Sequence, residues 1–457
     1  MRVNLGIPMR LSEIARATGG VMLSKENPMV KAVSTDSRQL RSGDLFIALP
    51  GRRRSGLEFV GEARKKGCLV LSEAPDQSHI LHPDGGAALL SFAKKYKKTL
   101  PYILYRIGIT GSVGKTTTKE LLRAILKTRY KVHASEGNFN SEIGMPMSIL
   151  SAEKECKILI MEMGMNHPGE IKKMSCCLAP SIALITNVGT AHIGNLGSRE
   201  EIAKAKLEIT EGMNGGDIFV PSDEPLLEGI ANRSTFGYDV KRDDFSIAFS
   251  PQGSISIYNK GKLYASNITP PFFEEHNLKC LLAAVSVAIK IGLTPEEIHL
   301  GISSISVENT RQKQFLRENY LFYTDFYNAS RESVLACIKS AEDIAHTKGK
   351  SLLLGDILEL GDMSEKIHYE VGRAISPQVF NRLFLFGNLV RDVGRGAIES
   401  GFPAERIFTV SDLSRPELCA ELVRRECKTG EMIFMKASRA IGLERVLDCF
   451  KDQGEKH

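Results

Sequence analysis

The stretch from Gly108 to Glu120, GITGSVGKTTTKE, decides the reading of the fold. It follows the apolar run YRIGIT (105–110) and opens the helical pattern TTKELLRAIL (117–126). A glycine-rich turn between a strand and a helix lets backbone N–H groups close around phosphate oxygens. Lys115 offers a point charge to the β- and γ-phosphates, and the Thr116 hydroxyl offers a ligand to Mg²⁺. The spacing departs from the strict phosphate-loop form. Its leading position holds Ile109, and the glycines fall at 108 and 111 instead. Thr110, Gly111, Ser112, Gly114 and Thr117 complete the candidate nucleotide-binding set.

Outward from this loop the chain alternates strands and helices. KILIMEM (157–163) and SIALITNV (181–188) read as buried strands, with helices starting near Pro168 and running through Glu200–Met213. Such alternation predicts a mostly parallel sheet covered on both faces. Residues 234–275 change character. FSIAFS, SISIYNK and KLYASN read as an antiparallel flank, and HNLKCLLAAVSVAIKIG as a long helix ending at Gly292. From about residue 313 the alternation restarts, with strands LFYTDF, SLLLGDI, RLFLFG, RIFTV and EMIFMKAS. Before the loop, residues 9–20 read as a short amphipathic helix. A turn at Ser42-Gly43-Asp44, a helix ending at Gly67 and the strand CLVLS then complete a small α/β unit. The polar, proline-ended run KKYKKTLP (94–101) reads as a linker.

A chain of 457 residues is long enough for about three domains at about 150 residues each. The expected fold class is therefore α/β in three parts. A small N-terminal α/β domain spans 1–100, a central P-loop ATPase-like domain with a mostly parallel sheet spans 101–312, and a C-terminal Rossmann-like doubly wound domain spans 313–457. A net charge of +6 is small for this length and argues against a dedicated nucleic-acid binder. The basic runs Arg52–Arg54 and Lys94–Lys98 lack interleaved aromatics and read as solvated faces, although Arg52–Arg54 lie close enough in sequence to the N-terminal motif to serve an anionic ligand. The nine cysteines form no C-x-x-C pair, which fits reduced thiols rather than a disulfide framework or a zinc ribbon. No 18-residue apolar run and no signal-like N-terminus is present, so a cytoplasmic protein without membrane contact is expected.

Further candidates stand at strand ends, where α/β sheets place their ligands. Glu162 closes KILIMEM, and a carboxylate there can hold Mg²⁺ against a γ-phosphate. His192 closes NVGTAH after the next strand, and the following helix carries Lys204 and Lys206. On spacing alone, these also read as an isolated turn histidine and a solvated lysine pair.

Several long motifs, in one order over nearly the whole chain, resemble the Mur ligase family. They are STDSRQLRSGDLFIAL (34–49), GITGSVGKTTTKE, GNFNSEIGMP (137–146), EMGMNHPGEI (162–171), NVGTAHIGNLGSREEIAKAKLEI (187–209), HNLKCLLAA (276–284), LLLGDILELGDMSEKIHYEVG (352–372) and KASRAIGLERV (436–446). The fourth and the last two point to the branch that adds D-alanyl-D-alanine. The D-N-P-R motif of the meso-diaminopimelate-adding branch is absent. The resemblance implies that ATP phosphorylates the terminal carboxylate of a UDP-N-acetylmuramoyl-tripeptide, and that the amine of D-alanyl-D-alanine attacks the acyl phosphate. It also implies a monomer using ATP and Mg²⁺.

Residue by residue, the resemblance gives Lys115 the γ-phosphate, Thr116 and Glu162 one Mg²⁺, and His192 a second. Lys206 falls where the family carries a carbamylated lysine, with Lys204 its solvated neighbour. Asn277 falls at the adenine contact, and Arg311 and Asp325 at nucleotide contacts from the linker and last domain. Asp36, Ser37 and Arg38 lie in the nucleotide-sugar segment. Asn328, Lys436, Ser438 and Arg439 lie where the last domain meets peptide and phosphate. With the nucleotide on the middle domain, the last domain is expected to swing in over it.

The chain departs from the family pattern at Val113, Ser141, Thr310, Thr324, Phe326, Ser330, Arg331 and Ala437, mostly in the last domain. Two alternatives remain open at this level. One is a related ligase with another amine or acceptor, against whose polyglutamate form the segment STDSR argues. The other is a protein that holds nucleotide without catalysis, against which the retained Lys115, Glu162, His192 and Lys206 argue.

Overall fold

The computed structural model describes every residue except 52–53, 273, 306–312, 327, 347 and 452–457. Its described residues form three sheets, each made from one stretch of the chain. The first has six strands. Leu45–Ile47 and Leu69–Ser72 run parallel at its centre, and Arg2–Arg10 pairs antiparallel with Met29–Ser34 at its edge. That edge strand was not read from the sequence, because Gly6 and Pro8 break its pattern. Both are tolerated because the strand lies at an edge and its register shifts between Asn4 and Met9.

The central sheet has nine strands. Val132–Ala134, Ile158–Glu162, Tyr105–Thr110, Ile182–Ile185, Asp217–Pro221, Arg233–Gly237 and Phe245–Phe249 lie side by side and parallel. Ile255–Asn259 and Lys262–Ile268 then extend the sheet antiparallel, the flank that residues 234–275 predict. The helix Glu275–Ile291 is buried along most of its length against this sheet and ends at Gly292 in the left-handed region. The helix expected over Glu200–Met213 is shorter. It runs from Arg199 to Leu207 and closes in a 3-10 turn, Glu208–Thr210.

The third sheet has six strands in a doubly wound order. Tyr320–Asp325, Met432–Lys436, Lys350–Gly355, Arg382–Phe386 and Ile407–Val410 are parallel neighbours. Lys313–Arg317, an edge strand the sequence reading did not anticipate, pairs antiparallel with the first of them. No helix among the described residues is long and apolar enough to cross a membrane.

The run 94–101 is helical rather than a linker: Lys94, Lys95 and Lys98 are exposed, as the sequence predicts, but Tyr96 and Leu100 are buried. Lys94–Tyr96 end the helix Gly85–Tyr96, and Tyr96 is fully buried. Its hydroxyl donates to Ala152 O (3.0 Å) and accepts from Ile7 N (2.7 Å), tying the first sheet to the central unit. Burial holds this phenol up at about 12. Lys97 donates to Cys177 O and Leu178 O at the C-terminal end of the helix Glu170–Leu178, where a cation also meets the negative end of the helix dipole. Its burial lowers the amine to about 8. An apolar cluster containing Leu89, Phe92, Met145 and Ile149 continues across the same junction. Alternation told where a polar run lies in sequence, but not that a neighbouring unit covers it.

Tyr96→Phe keeps the ring and strands both partners. Unfolding in urea should show a loss of about 1–3 kcal/mol, the cost of leaving buried polar groups unmade. An unchanged transition would show that the hydroxyl contributes nothing to this junction.

Candidate functional site

The three central strands end side by side. Ile109 pairs with Glu162, and Thr110 pairs with Ile185, so the phosphate loop, Glu162 and the turn after Ile185 emerge at one sheet edge. The order of connection reverses at Tyr105–Thr110, which makes this the switch point where such sheets hold ligands.

The turn after Ile185 braces the phosphate loop. The Asn187 carboxamide oxygen accepts from Ser112 N and Val113 N, both at 3.0 Å, and its nitrogen donates to Val113 O at 3.0 Å. Thr186 Oγ1 donates to Val113 O at 2.6 Å, and Gly189 N donates to Ser112 Oγ at 2.9 Å. Gly111 admits this contact, since a Cβ there would stand 1.9 Å from Thr186 Oγ1. Val113, a departure from the family pattern, is therefore held by its backbone rather than its side chain. The helix Lys115–Leu126 follows directly, and Lys115 Nζ donates to Gly111 O at 2.6 Å.

Behind the loop, Glu162 is almost fully buried. Thr116 Oγ1 donates to it at 2.6 Å and Asn140 Nδ2 at 3.0 Å, while Lys119 Nζ stands 3.9 Å away. Lys119 is fully buried and also donates to Ser135 O. Asn140 and Lys119 were missed in the sequence, though GNFNSEIGMP and GKTTTK contain them. Their neighbours in the chain carried the motif, and only the fold brings them to Glu162.

Two cavities meet here. The first is lined by the polar groups of Ser112, Gly114, Lys115, Thr117 and His192 and by the apolar side chains of Phe236, Ala283, Tyr323 and Cys337, beside Asn277 and His276. Burial lowers the His276 imidazole, which favours its neutral form. An anion-binding end joined to an apolar slot suits a nucleotide. The second cavity is lined by Asn140, Ser141, Glu142, Asn166 and Glu170. Lys115, His192 and Asn328 line both.

Lys206 lines neither cavity and is nearly fully buried. Among the described residues its amine has no hydrogen-bond or ion-pair partner. Burial drives its pKa well below the usual lysine value, nearby Lys115 lowers it further, and Glu332 opposes the shift. Lys204 instead lies in solvent, 2.5 Å from Glu201.

The last unit closes the first cavity with Asp325, Asn328 and Ser330. Lys436 Nζ, almost fully buried, donates to Asp325 Oδ2 at 2.7 Å and Asn328 O at 2.8 Å. Lys436 thus shapes the site through its neighbours. Ser438 is buried away from both cavities, where its hydroxyl accepts from Leu358 N at 2.9 Å, and Arg439 is exposed and lines neither cavity. Arg311 lies outside the described residues. Asp36, Ser37 and Arg38 sit on the first sheet, away from both cavities. There Arg38 grips Asp36 and holds its carboxyl well below the usual range.

Two contacts join the last unit to the loop that carries His192. Glu332 accepts from Thr190 N at 2.9 Å and Thr190 Oγ1 at 3.3 Å, and Glu359 accepts from His192 Nδ1 at 2.5 Å. Glu332 stands in none of the sequence motifs, and Glu359 stands inside the 352–372 motif without having been singled out. Each acts across more than 140 residues.

Comparison with known proteins places this geometry. The Mur ligase middle domain matches residues 109–288. The UDP-N-acetylmuramoyl-tripeptide–D-alanyl-D-alanine ligase of Bacillus subtilis is 35% identical over 453 residues, covering 96% of this chain and 98% of that protein. The crystal structure of MurF from Acinetobacter baumannii superposes with a TM-score of 0.85 at 27% identity, covering 98% of this chain and 99% of that one. MurF from Thermotoga maritima in complex with ADP gives a TM-score of 0.76 at 27% identity, covering 91% and 96%. With a curated relative matched from end to end and the phosphate loop, strand-end carboxylate and buried lysine gathered at one sheet edge, the chain belongs to the Mur ligase family, among its D-alanyl-D-alanine-adding members.

Proposed function

We propose that this protein is an ATP-dependent amide ligase that adds D-alanyl-D-alanine to UDP-N-acetylmuramoyl-tripeptide, the last cytoplasmic step in making the peptidoglycan pentapeptide precursor. The observation that carries the reading is the meeting of two cavities at Lys115, His192 and Asn328. ATP occupies the first, with its adenine toward Asn277 and Phe236 and its γ-phosphate toward Lys115. The tripeptide carboxylate enters from the second. Its oxygen attacks the γ-phosphorus, ADP leaves, and an acyl phosphate forms. The neutral dipeptide amine then attacks the acyl carbon, and the tetrahedral adduct expels phosphate as the amide closes. The work of the chain is to align the reactants and neutralise charge. Lys115 supplies a cation where phosphate charge accumulates, and the loop N–H groups bind phosphate oxygens. Asp36, Ser37 and Arg38 would meet the nucleotide sugar, and Asp325 and Arg311 the nucleotide. The working units are residues 1–100, 101–312 and 313–457, acting as a monomer.

Mg²⁺ fits the donor set. No three His, Cys, Asp or Glu residues gather as a metal cage among the described residues. Mg²⁺ bound with nucleotide needs only one or two protein carboxylates beside phosphate and water. Glu162 with Thr116 offers one such position, and His192 with Lys206 another. Bound there, the ion would neutralise phosphate charge. The Lys206 amine, kept neutral by burial, is a nucleophile for CO₂. Attack of its nitrogen on carbon, with loss of a proton, gives a carbamate whose negative charge reverses the repulsion from Lys115.

The departures in TDFYNASR (324–331) add no free charge to the cavities. Ser330 caps the helix Arg331–Asp343, and Arg331 pairs with Glu370 at 2.8 Å. This supports the D-alanyl-D-alanine reading over a different amine.

With Mg-ATP and UDP-tripeptide, mass spectrometry should find the UDP-pentapeptide only when D-alanyl-D-alanine is present. Lys115→Ala should lower its formation by at least about 100-fold, and undiminished product would remove that role from Lys115. Protein equilibrated with ¹³CO₂ should give one carbamate resonance that Lys206→Ala lacks; identical spectra would place no carbamate on Lys206. The buried amine also costs stability. Between its depressed folded pKa and the ordinary 10.5, the unfolded chain binds the extra proton, so the penalty is present at neutral pH and vanishes as pH rises past 10.5. In CO₂-free buffer Lys206→Met should therefore melt higher than wild type at pH 7–8, with the gap closing toward pH 10.5. A gap independent of pH would refute the depressed pKa.

A further inference from the structure

We propose that Glu359 is a positioning residue for His192, delivered by the last unit, so that closure of that unit sets the imidazole in its working orientation. The inference rests on the ligase reading. Its ground is that two non-glycine residues from different units both adopt the left-handed backbone and meet through their side chains. His192 has φ 65° and Glu359 φ 64°. Each conformation is strained for a residue with a side chain and persists only where the surroundings enforce it. Here they are enforced together. Gly194 N donates to Glu359 O at 3.0 Å, and a Cβ on Gly194 would stand 2.4 Å from Gly361 N. The two loops therefore approach backbone to backbone, and no larger residue fits at Gly194.

Glu332 holds the other side of the same loop through Thr190. A Cβ on Gly189 would stand 2.7 Å from its carboxylate. Two acidic side chains of the last unit thus grip one loop of the central unit on either side of His192.

The chemistry follows from the hydrogen bond. With Nδ1 bonded to the Glu359 carboxylate, Nε2 is the ring nitrogen left to act as a ligand. Nε2 has no hydrogen-bond partner among the described residues, and His192 lines both cavities where they meet. A carboxylate behind an imidazole fixes the tautomer and raises ligand basicity, and losing such a partner typically costs about 10–100-fold in metal affinity or activity. The Glu359 side chain belongs to the last unit, so His192 gains this support only when that unit is docked.

The test reads Mn²⁺ binding to the protein–ADP complex by electron paramagnetic resonance, which needs no turnover, alongside pentapeptide formation in the same samples. Glu359→Ala should weaken the site that His192→Ala abolishes by about 10-fold or more. It should also lower kcat while leaving KM for ATP within about twofold. Glu359→Gln keeps an acceptor oxygen at the same reach and should recover most of both. Melting curves exclude unfolding, and the backbone bond from Gly194 persists in all three proteins. Wild-type Mn²⁺ affinity in Glu359→Ala would overturn the proposal, as would a Gln variant as impaired as Ala. Failure of wild type to form pentapeptide would instead overturn the ligase reading, with the Mn²⁺ result still legible.

Discussion

The Asn187 carboxamide holds the site together. It bonds three backbone groups of the phosphate loop at once, two as acceptor and one as donor. That is possible only because the strands before it and before the loop are parallel neighbours in one register. A slip of one residue would turn Thr110 and Ile185 to opposite faces and pull the carboxamide away from Val113. The parallel pairing beyond it places Glu162 at the same edge. Phosphate binding, the strand-end carboxylate and the turn to His192 thus follow from the alignment of three strands.

The sequence was legible where the physics is local. A glycine-rich turn between an apolar run and a helical pattern specifies its own shape, so the phosphate loop and the alternation around it were readable. The antiparallel flank and the helix ending at Gly292 were readable for the same reason. Legibility failed where a residue's role depends on a distant chain segment. Tyr96 and Lys97 look like part of a polar connector, yet their partners lie at Ala152, Cys177 and Leu178. Ser438 sits in a motif that suggests substrate, and the fold spends it on the backbone of Leu358. Glu332 lies in no motif, and the motif that holds Glu359 does not show that its partner is His192. Family resemblance supplied the roles of Glu162, His192 and Lys206, which spacing alone left as ordinary residues.

The site also shows how burial chooses chemistry. Lys115 lines both cavities, and Lys119, Lys206 and Lys436 each act on a residue of the site, Glu162, Lys115 and Asp325 in turn, yet the four differ in company. Lys119 and Lys436 are buried with carbonyl and carboxylate partners. Lys206 is buried with no hydrogen-bond or ion-pair partner among the described residues, and a cation there is penalised by both solvent exclusion and Lys115. The same side chain is held by polar partners in two positions and has its charged form disfavoured in the third.

The junction at Tyr96 and Lys97 has one more effect. It fastens the first sheet to the central unit through buried hydrogen bonds and a continuous apolar cluster. On the proposed function, the nucleotide-sugar end of the substrate and its reacting carboxylate then sit at the two ends of a fixed span. The fold acts as a ruler. A peptide one residue shorter falls about 3.5 Å short of Lys115, and one residue longer must buckle. Length, measured by a rigid frame, then separates this substrate from the shorter intermediates that precede it.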